Sequence, residues 1–327
     1  MSCNTAESGF TPRRLVIVGC RGRMGTLLSA RWSAAGHTVA GLDLPLTDDV
    51  FAEALPGADA VFLCIPAGAM AEVLPHLVPH LDGGQILADI TSVKMQPLGQ
   101  MERAYAGPVV GTHPLFGPKP QPSDLRVCIT PGAAATDTHI GLVEGLFEDM
   151  GCSTFRSTAE AHDSAAASIQ GLNFISSLAY FATLADHEEL LPFITPSFRR
   201  RLEASRKLLT EDAPLFEWLF EANPMSQESI RQYRSFLNVA AGGDVNVLVQ
   251  RAQWWWKEAG KKIGGGRGTF LQKGPPSPLQ TSPFPLPRLL ALSNPSCPVG
   301  GGFVVYLCPA YHWERSVLVF EFFYLLY

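Results

Sequence analysis

No stretch of about 18 consecutive apolar residues occurs in the chain, so no membrane-spanning helix is expected. Met1–Arg13 lacks the apolar segment of a secretory signal. No C-x-x-C pair is formed by the seven cysteines, Cys3, Cys20, Cys64, Cys128, Cys152, Cys297 and Cys308. Their odd number and the apolar runs around several of them fit reduced thiols in a cytoplasmic protein better than a disulfide framework or a zinc site. There is no H-E-x-x-H, no Walker loop and no other metal-ligand spacing, so no metal is expected. Charge is also scarce: Asp, Glu, Lys and Arg make up 17% of the chain, with a formal net charge of −5, against about 25% in typical domains. A mildly acidic chain offers neither the basic surface of a general nucleic-acid binder nor a polybasic membrane anchor.

What is present fits two domains and an appendage. The 327 residues are 46% hydrophobic, enough for a substantial core. Short apolar, β-branched runs read as strands: Arg14–Val18, His37–Asp43, Ala60–Ile65, Gln85–Ile90, Pro108–Thr112, Arg126–Thr130 and Ser153–Ser157. Helical segments alternate with them, which predicts a parallel, doubly wound α/β sheet. After about residue 157 strand signals stop. Ala159–His187 reads as one long helix, followed by helical segments at Pro196–Leu209, Ala213–Phe220, Ser226–Ala240 and Asp244–Lys262. The predicted organisation is an arm over 1–13, an α/β domain over 14–157, a helical domain over 158–263 and a tail over 264–327. That tail holds nine of the 26 prolines and four basic residues against Glu314 and Glu321, leaving residues 1–263 at a formal −7. It is expected to be disordered or to derive from a shifted reading frame.

Three motifs carry chemistry. Gly19-Cys20-Arg21-Gly22-Arg23-Met24-Gly25 lies between the first strand and the first helix. Glycines there permit a tight turn, close approach to a pyrophosphate and close helix–strand packing, with the helix N-terminus facing the phosphate. Cys20 stands where the first glycine of G-x-G-x-x-G would be. Asp43 ends the second strand, where an acid accepts hydrogen bonds from the adenosine ribose and disfavours a 2′-phosphate, so NAD is expected rather than NADP. Asp89-Ile90-Thr91-Ser92-Val93-Lys94 follows the fourth strand at the carboxyl edge, where ligands bind in open α/β sheets. Ser92 offers a hydroxyl and Lys94 a cation suited to a carboxylate. The third motif is Gly111-Thr112-His113-Pro114-Leu115-Phe116-Gly117-Pro118. A histidine held between a strand end and a proline can serve as a general base near neutral pH. Trp254-Trp255-Trp256 reads as core and interface rather than a ligand cage.

The chain resembles the prephenate dehydrogenase family of tyrosine biosynthesis. The resemblance rests on Val16–Gly25, D-x-x-S-V-K at Asp89–Lys94, H-P-L-F-G-P at His113–Pro118, His162-Asp163 with Ala167 and Ile169-Gln170, and T-P-S-F-R at Thr195–Arg199. These occur in family order over roughly residues 14–262. The resemblance implies a Rossmann-type domain followed by an all-α dimerisation domain, and NAD-dependent oxidative decarboxylation of prephenate to 4-hydroxyphenylpyruvate. His113 would accept the proton of the ring hydroxyl, and Ser92 would orient that hydroxyl. Lys94, Arg199 and Gln170 would bind substrate. Gly19, Arg21, Gly22, Arg23, Met24, Gly25, Asp43 and Pro66 would hold the cofactor. The family often carries a histidine where Phe174 stands. The alternatives are arogenate or cyclohexadienyl dehydrogenase activity, or a non-catalytic NAD-binding regulator.

Overall fold

A computed structural model of the chain describes residues 10–259. Seven strands form one sheet in the order β2-β1-β3-β4-β5-β6-β7. They are β1 (Arg14–Val18), β2 (Thr38–Leu42), β3 (Ala60–Leu63), β4 (Ile86–Asp89), β5 (Val109–Pro114), β6 (Arg126–Pro131) and β7 (Ser153–Arg156). Along β1 the side chains alternate. Val16 and Val18 join one core cluster, and Leu15 and Ile17 the other. This period of two explains why the central strands read as uninterrupted apolar runs: both faces are covered. Helices α2 (Asp48–Ala54), α3 (Met70–Leu77) and α4 (Met95–Ala104) cover the first face with Phe51, Met70, Leu74, Leu98 and Met101. Helices α1 (Arg23–Ala34) and α5 (Asp137–Glu148) cover the second, where Trp32 meets Phe62 and Phe147.

The expected doubly wound sheet is present with one departure. β6 runs antiparallel to β5, pairing His113 with Cys128 and Pro114 with Val127, and β7 is parallel to β6. The physical reason lies in the connection from Leu115 to Leu125, which carries Pro118, Pro120 and Pro122 and forms only a short 3₁₀ turn. A parallel crossover needs a dozen or more residues, usually in a helix, and this proline-rich segment cannot supply one.

Beyond β7 the described residues are helical: α6 (Ala159–Ala166), a π turn (Ala167–Gly171), α7 (Leu172–Ala182), α8 (Pro196–Thr210), α9 (Ala213–Ala222), α10 (Ser226–Ala241) and α11 (Val245–Ala252). The expected long helix thus ends at Ala182, five residues before His187, and its regular winding is broken by the π turn. Thr195 caps α8, its hydroxyl accepting from the Phe198 N–H, and Pro214 sits in the first turn of α9. The tryptophan cluster is not core: Trp254 and Trp255 are half exposed and Trp256 is 78% exposed. Among the described residues no helix is long and apolar enough to cross a membrane. The first nine residues, the end of the helix expected to reach Lys262, and the expected tail over 264–327 lie outside the described residues.

Candidate active site

The glycine-rich turn is built by close approach. Gly19 has φ +87°, and a Cβ there would lie 2.5 Å from the Cys64 carbonyl oxygen of the neighbouring strand end. The N–H groups of Gly19 and Cys20 both donate to the Leu42 carbonyl, at 2.8 and 3.1 Å, tying the turn to β2. Gly22 is the N-cap of α1 and brings no side-chain cap, and the first turn holds no acid. That uncapped first turn is suited to an anion and is flanked by exposed Arg21 and Arg23. Arg23 also lies 3.8 Å from Asp212, in the turn between α8 and α9. Asp43 accepts from the backbone N–H of Arg21 at 2.8 Å and of Leu44 at 2.9 Å. These two N–H groups, Arg21 first, hold its carboxyl below the usual carboxylate range. Met24 is half-buried at the start of α1, and Pro66 is exposed just after β3.

The second part of the site lies at the carboxyl ends of β4 and β5, which pair as Asp89 with Gly111. His113 is 3% exposed. Its Nδ1 lies 2.8 Å from Nε2 of His162, and Nδ1 of His162 lies 2.7 Å from Oδ1 of Asp163. Both partners are buried and come from α6. Asp163 also accepts from the backbone N–H groups of Lys94 (2.7 Å) and Met95 (2.9 Å) at the start of α4. One carboxylate thus caps a helix and anchors a pair of imidazoles. Burial, His162 and Lys94 together hold the His113 imidazole well below the ordinary histidine value.

Lys94 requires a correction. Expected to lend charge to a substrate, it is fully buried, and its ammonium donates to Asp89 Oδ2 at 2.5 Å and to the Thr112 carbonyl at 2.7 Å. An apolar environment leaves a cation no alternative to pairing inward. Burial lowers its pKa, although Asp89 opposes that shift. Asp89 is held in turn by Thr91, and the Thr112 hydroxyl donates to the Asp89 carbonyl at 2.6 Å. The D-x-x-S-V-K and T-H-P motifs are therefore locked together from inside. Ser92 stays half-buried in the loop from Asp89 to Lys94.

The remaining expected residues are dispersed. Arg199, exposed on α8, lines an open cleft of about 430 Å³ with Ile194, Pro196, Arg200 and Glu203, and this cleft includes neither Ser92 nor His113. Gln170 is half-buried within the π turn. Phe174 is buried and stacks on Phe216, with ring centroids 5.7 Å apart, so apolar packing fills the place of a family histidine, while Asn173 is exposed. Sequence reasoning assigns no separate role to His162, which the fold delivers directly to His113. Its only local signal is the Thr158 cap four residues earlier, which starts α6 and aims its first turn at the sheet edge. Among the described residues no cluster suited to a metal ion occurs, and Cys20, Cys64, Cys128 and Cys152 are free.

Comparison with known proteins agrees with this architecture. Residues 25–154 match the family model described as prephenate dehydrogenase, nucleotide-binding domain. A T-protein of Enterobacter agglomerans is 29% identical over 265 residues, covering 77% of this chain and 69% of that protein. A T-protein of Haemophilus influenzae is 30% identical over 214 residues, covering 62% of this chain but only 54% of its own length. Among solved structures, prephenate dehydrogenase from A. aeolicus, in complex with hydroxyphenyl propionate and NAD+, superposes with a TM-score of 0.65 at 18% identity, covering 79% of this chain and 99% of that one. Synechocystis arogenate dehydrogenase gives 0.64 at 19% identity, covering 76% and 99%. At such identities the superpositions speak for the fold, and residues 25–154 carry the likeness to the nucleotide-binding domain of prephenate dehydrogenase.

Proposed function

We propose that the chain is an NAD-dependent prephenate dehydrogenase, converting prephenate to 4-hydroxyphenylpyruvate with loss of carbon dioxide. The observation that carries this reading is His113. It is a buried, neutral imidazole at the carboxyl edge of the sheet, one strand away from the Ser92 loop and within a nucleotide-binding domain of this family. NAD suits the residues present. Gly19 and Gly25 let the turn close where a Cβ would collide with the Cys64 and Gly19 carbonyl oxygens, the uncapped N-terminus of α1 suits a pyrophosphate, and Asp43 follows the strand beside it. The remaining cofactor contacts in this reading are Arg21, Gly22, Arg23, Met24 and Pro66. When bound, NAD supplies the hydride acceptor.

The chain's own residues supply positioning and proton transfer. His113 takes the proton of the substrate's ring hydroxyl as general base. Ser92 holds that hydroxyl. Arg199 offers a planar fork to a substrate carboxylate, and Gln170 adds a polar contact from the helical side. Lys94 acts indirectly, by fixing the loop that carries Ser92 to the strand that carries His113. Loss of carbon dioxide aromatises the ring and makes the reaction irreversible. The division into an α/β domain over 14–157 and a helical substrate and dimerisation domain over 158–263 belongs to the same reading.

The test is NADH formation with prephenate, run beside arogenate and beside NADP. Turnover of prephenate with NAD is expected. Better turnover of arogenate would move the assignment to arogenate dehydrogenase. NAD binding without turnover of either would make the chain a non-catalytic regulator.

A further inference from the structure

We propose that His162 and Asp163 form a relay behind His113, which fixes the tautomer of the base and stores the proton it removes from the substrate. This rests on the reading of His113 as the general base.

The argument begins with donors and acceptors. Asp163 already accepts two backbone N–H bonds, so the 2.7 Å contact with His162 makes His162 Nδ1 the donor. A neutral His162 then carries its lone pair on Nε2. That atom is 2.8 Å from His113 Nδ1, and two lone pairs cannot face each other at this distance, so His113 Nδ1 carries the hydrogen. The lone pair of His113 is thereby assigned to Nε2, on the other side of the ring. This ordering is deduced from the hydrogen-bond network.

The same chain solves a charge problem. An imidazolium at His113 would be buried and would face the Lys94 ammonium. His162 differs from His113 in lying directly against the Asp163 carboxylate. When His113 Nε2 takes the hydroxyl proton, the substrate O–H bond breaks and an Nε2–H bond forms. The Nδ1–H bond of His113 breaks in turn, and an Nε2–H bond forms on His162. One proton enters and one is passed on. His113 ends neutral, and the positive charge rests on His162 beside Asp163. The other charged or titratable groups of this cluster are Lys94 and Asp89, which form an ion pair, and the Cys128 thiol, which pairs across the ladder from His113 and which burial pushes up to about 11.

Two measurements on the full chain test this. Nitrogen-15 histidine NMR of the wild type is expected to show His113 protonated at Nδ1 and bare at Nε2, and His162→Phe is expected to abolish that preference. In steady-state kinetics His162→Phe is expected to lower kcat by about 10²-fold or more, the scale of general acid–base catalysis, with KM for substrate and NAD changed less than threefold. Should His162→Phe fail to fold in a melting experiment, Asp163→Asn takes its place, with the same kcat-specific loss expected. A wild-type His113 found bare at Nδ1, or a variant with unreduced kcat, overturns the relay. A wild type inert toward both prephenate and arogenate overturns the functional reading instead, and the NMR tautomer still decides the relay's hydrogen-bond order.

Discussion

Three side chains set the behaviour of the site at the residue scale. His113 is held well below the ordinary value of 6.5 by burial, His162 and Lys94. A general base must be neutral, so the acid limb of kcat/KM is expected below pH 6.5, and a limb at or above that value would count against His113. Fold stability has the same sign. Unfolded histidine binds its proton near pH 6.5 and His113 only at lower pH, so this contribution is complete above 6.5 and is lost as pH falls toward the folded value. Lys94→Ala should cost about 3–5 kcal/mol in chemical denaturation, because it leaves the Asp89 carboxylate buried without its cation. A variant of unchanged stability and raised KM would instead restore the substrate-binding role expected from sequence. Cys20 and Gly41 form a matched pair. The Cys20 Sγ occupies the space where a Cβ on Gly41 would lie 2.8 Å away. Gly41→Ala should therefore destabilise by about 1–3 kcal/mol through overpacking and weaken NAD binding, and adding Cys20→Gly should relieve both, as melting curves and NAD titrations would report.

Elements were legible in proportion to how locally they are determined. The central strands β1, β3, β4 and β5 could be placed from their apolar, β-branched runs, because both faces of the sheet are covered there. The direction of β6 could have been argued from Pro118, Pro120 and Pro122, which deny the connection a helix. The π turn at Ala167–Gly171 could not: Asp163, Ala167 and Phe174 keep helical spacing and stay buried, so the sequence pattern survives the irregularity. Lys94 shows the limit for side chains, since a motif names a residue type but not the direction in which the fold turns it. The helices after β7 leave much apolar surface uncovered, with Leu237, Val247, Val249, Trp254 and Trp256 about half exposed or more and no residue of α11 buried. A homodimer through these helices is proposed to cover that surface. Sedimentation should show a dimer for the wild type and a shift toward monomer for the double substitution Val247→Asp with Val249→Asp.

For the molecule as a whole, the proposed site draws on two kinds of support. His113 and Ser92 are carried by the sheet half, and His162 and Asp163 come from the helical half, as do Gln170 and Arg199, the proposed substrate contacts. The Asp163 carboxylate bonds the two halves directly, through the N–H groups of Lys94 and Met95, and the Asn223 side chain donates to the Asp163 carbonyl at 2.8 Å. His113 also sits in register opposite Cys128 in the β5–β6 ladder. That pairing has a kinetic consequence. With His113 as the proposed base, anchored in a ladder, closure around a bound ligand is expected from the exposed α8, where Arg199 lies. Amide hydrogen–deuterium exchange should find β5 among the slowest segments and the first turn of α8 among the faster ones. Saturating NAD and product should slow α8 while leaving β5 unchanged. The enzyme would then work as a fixed anvil against which its helical half is pressed.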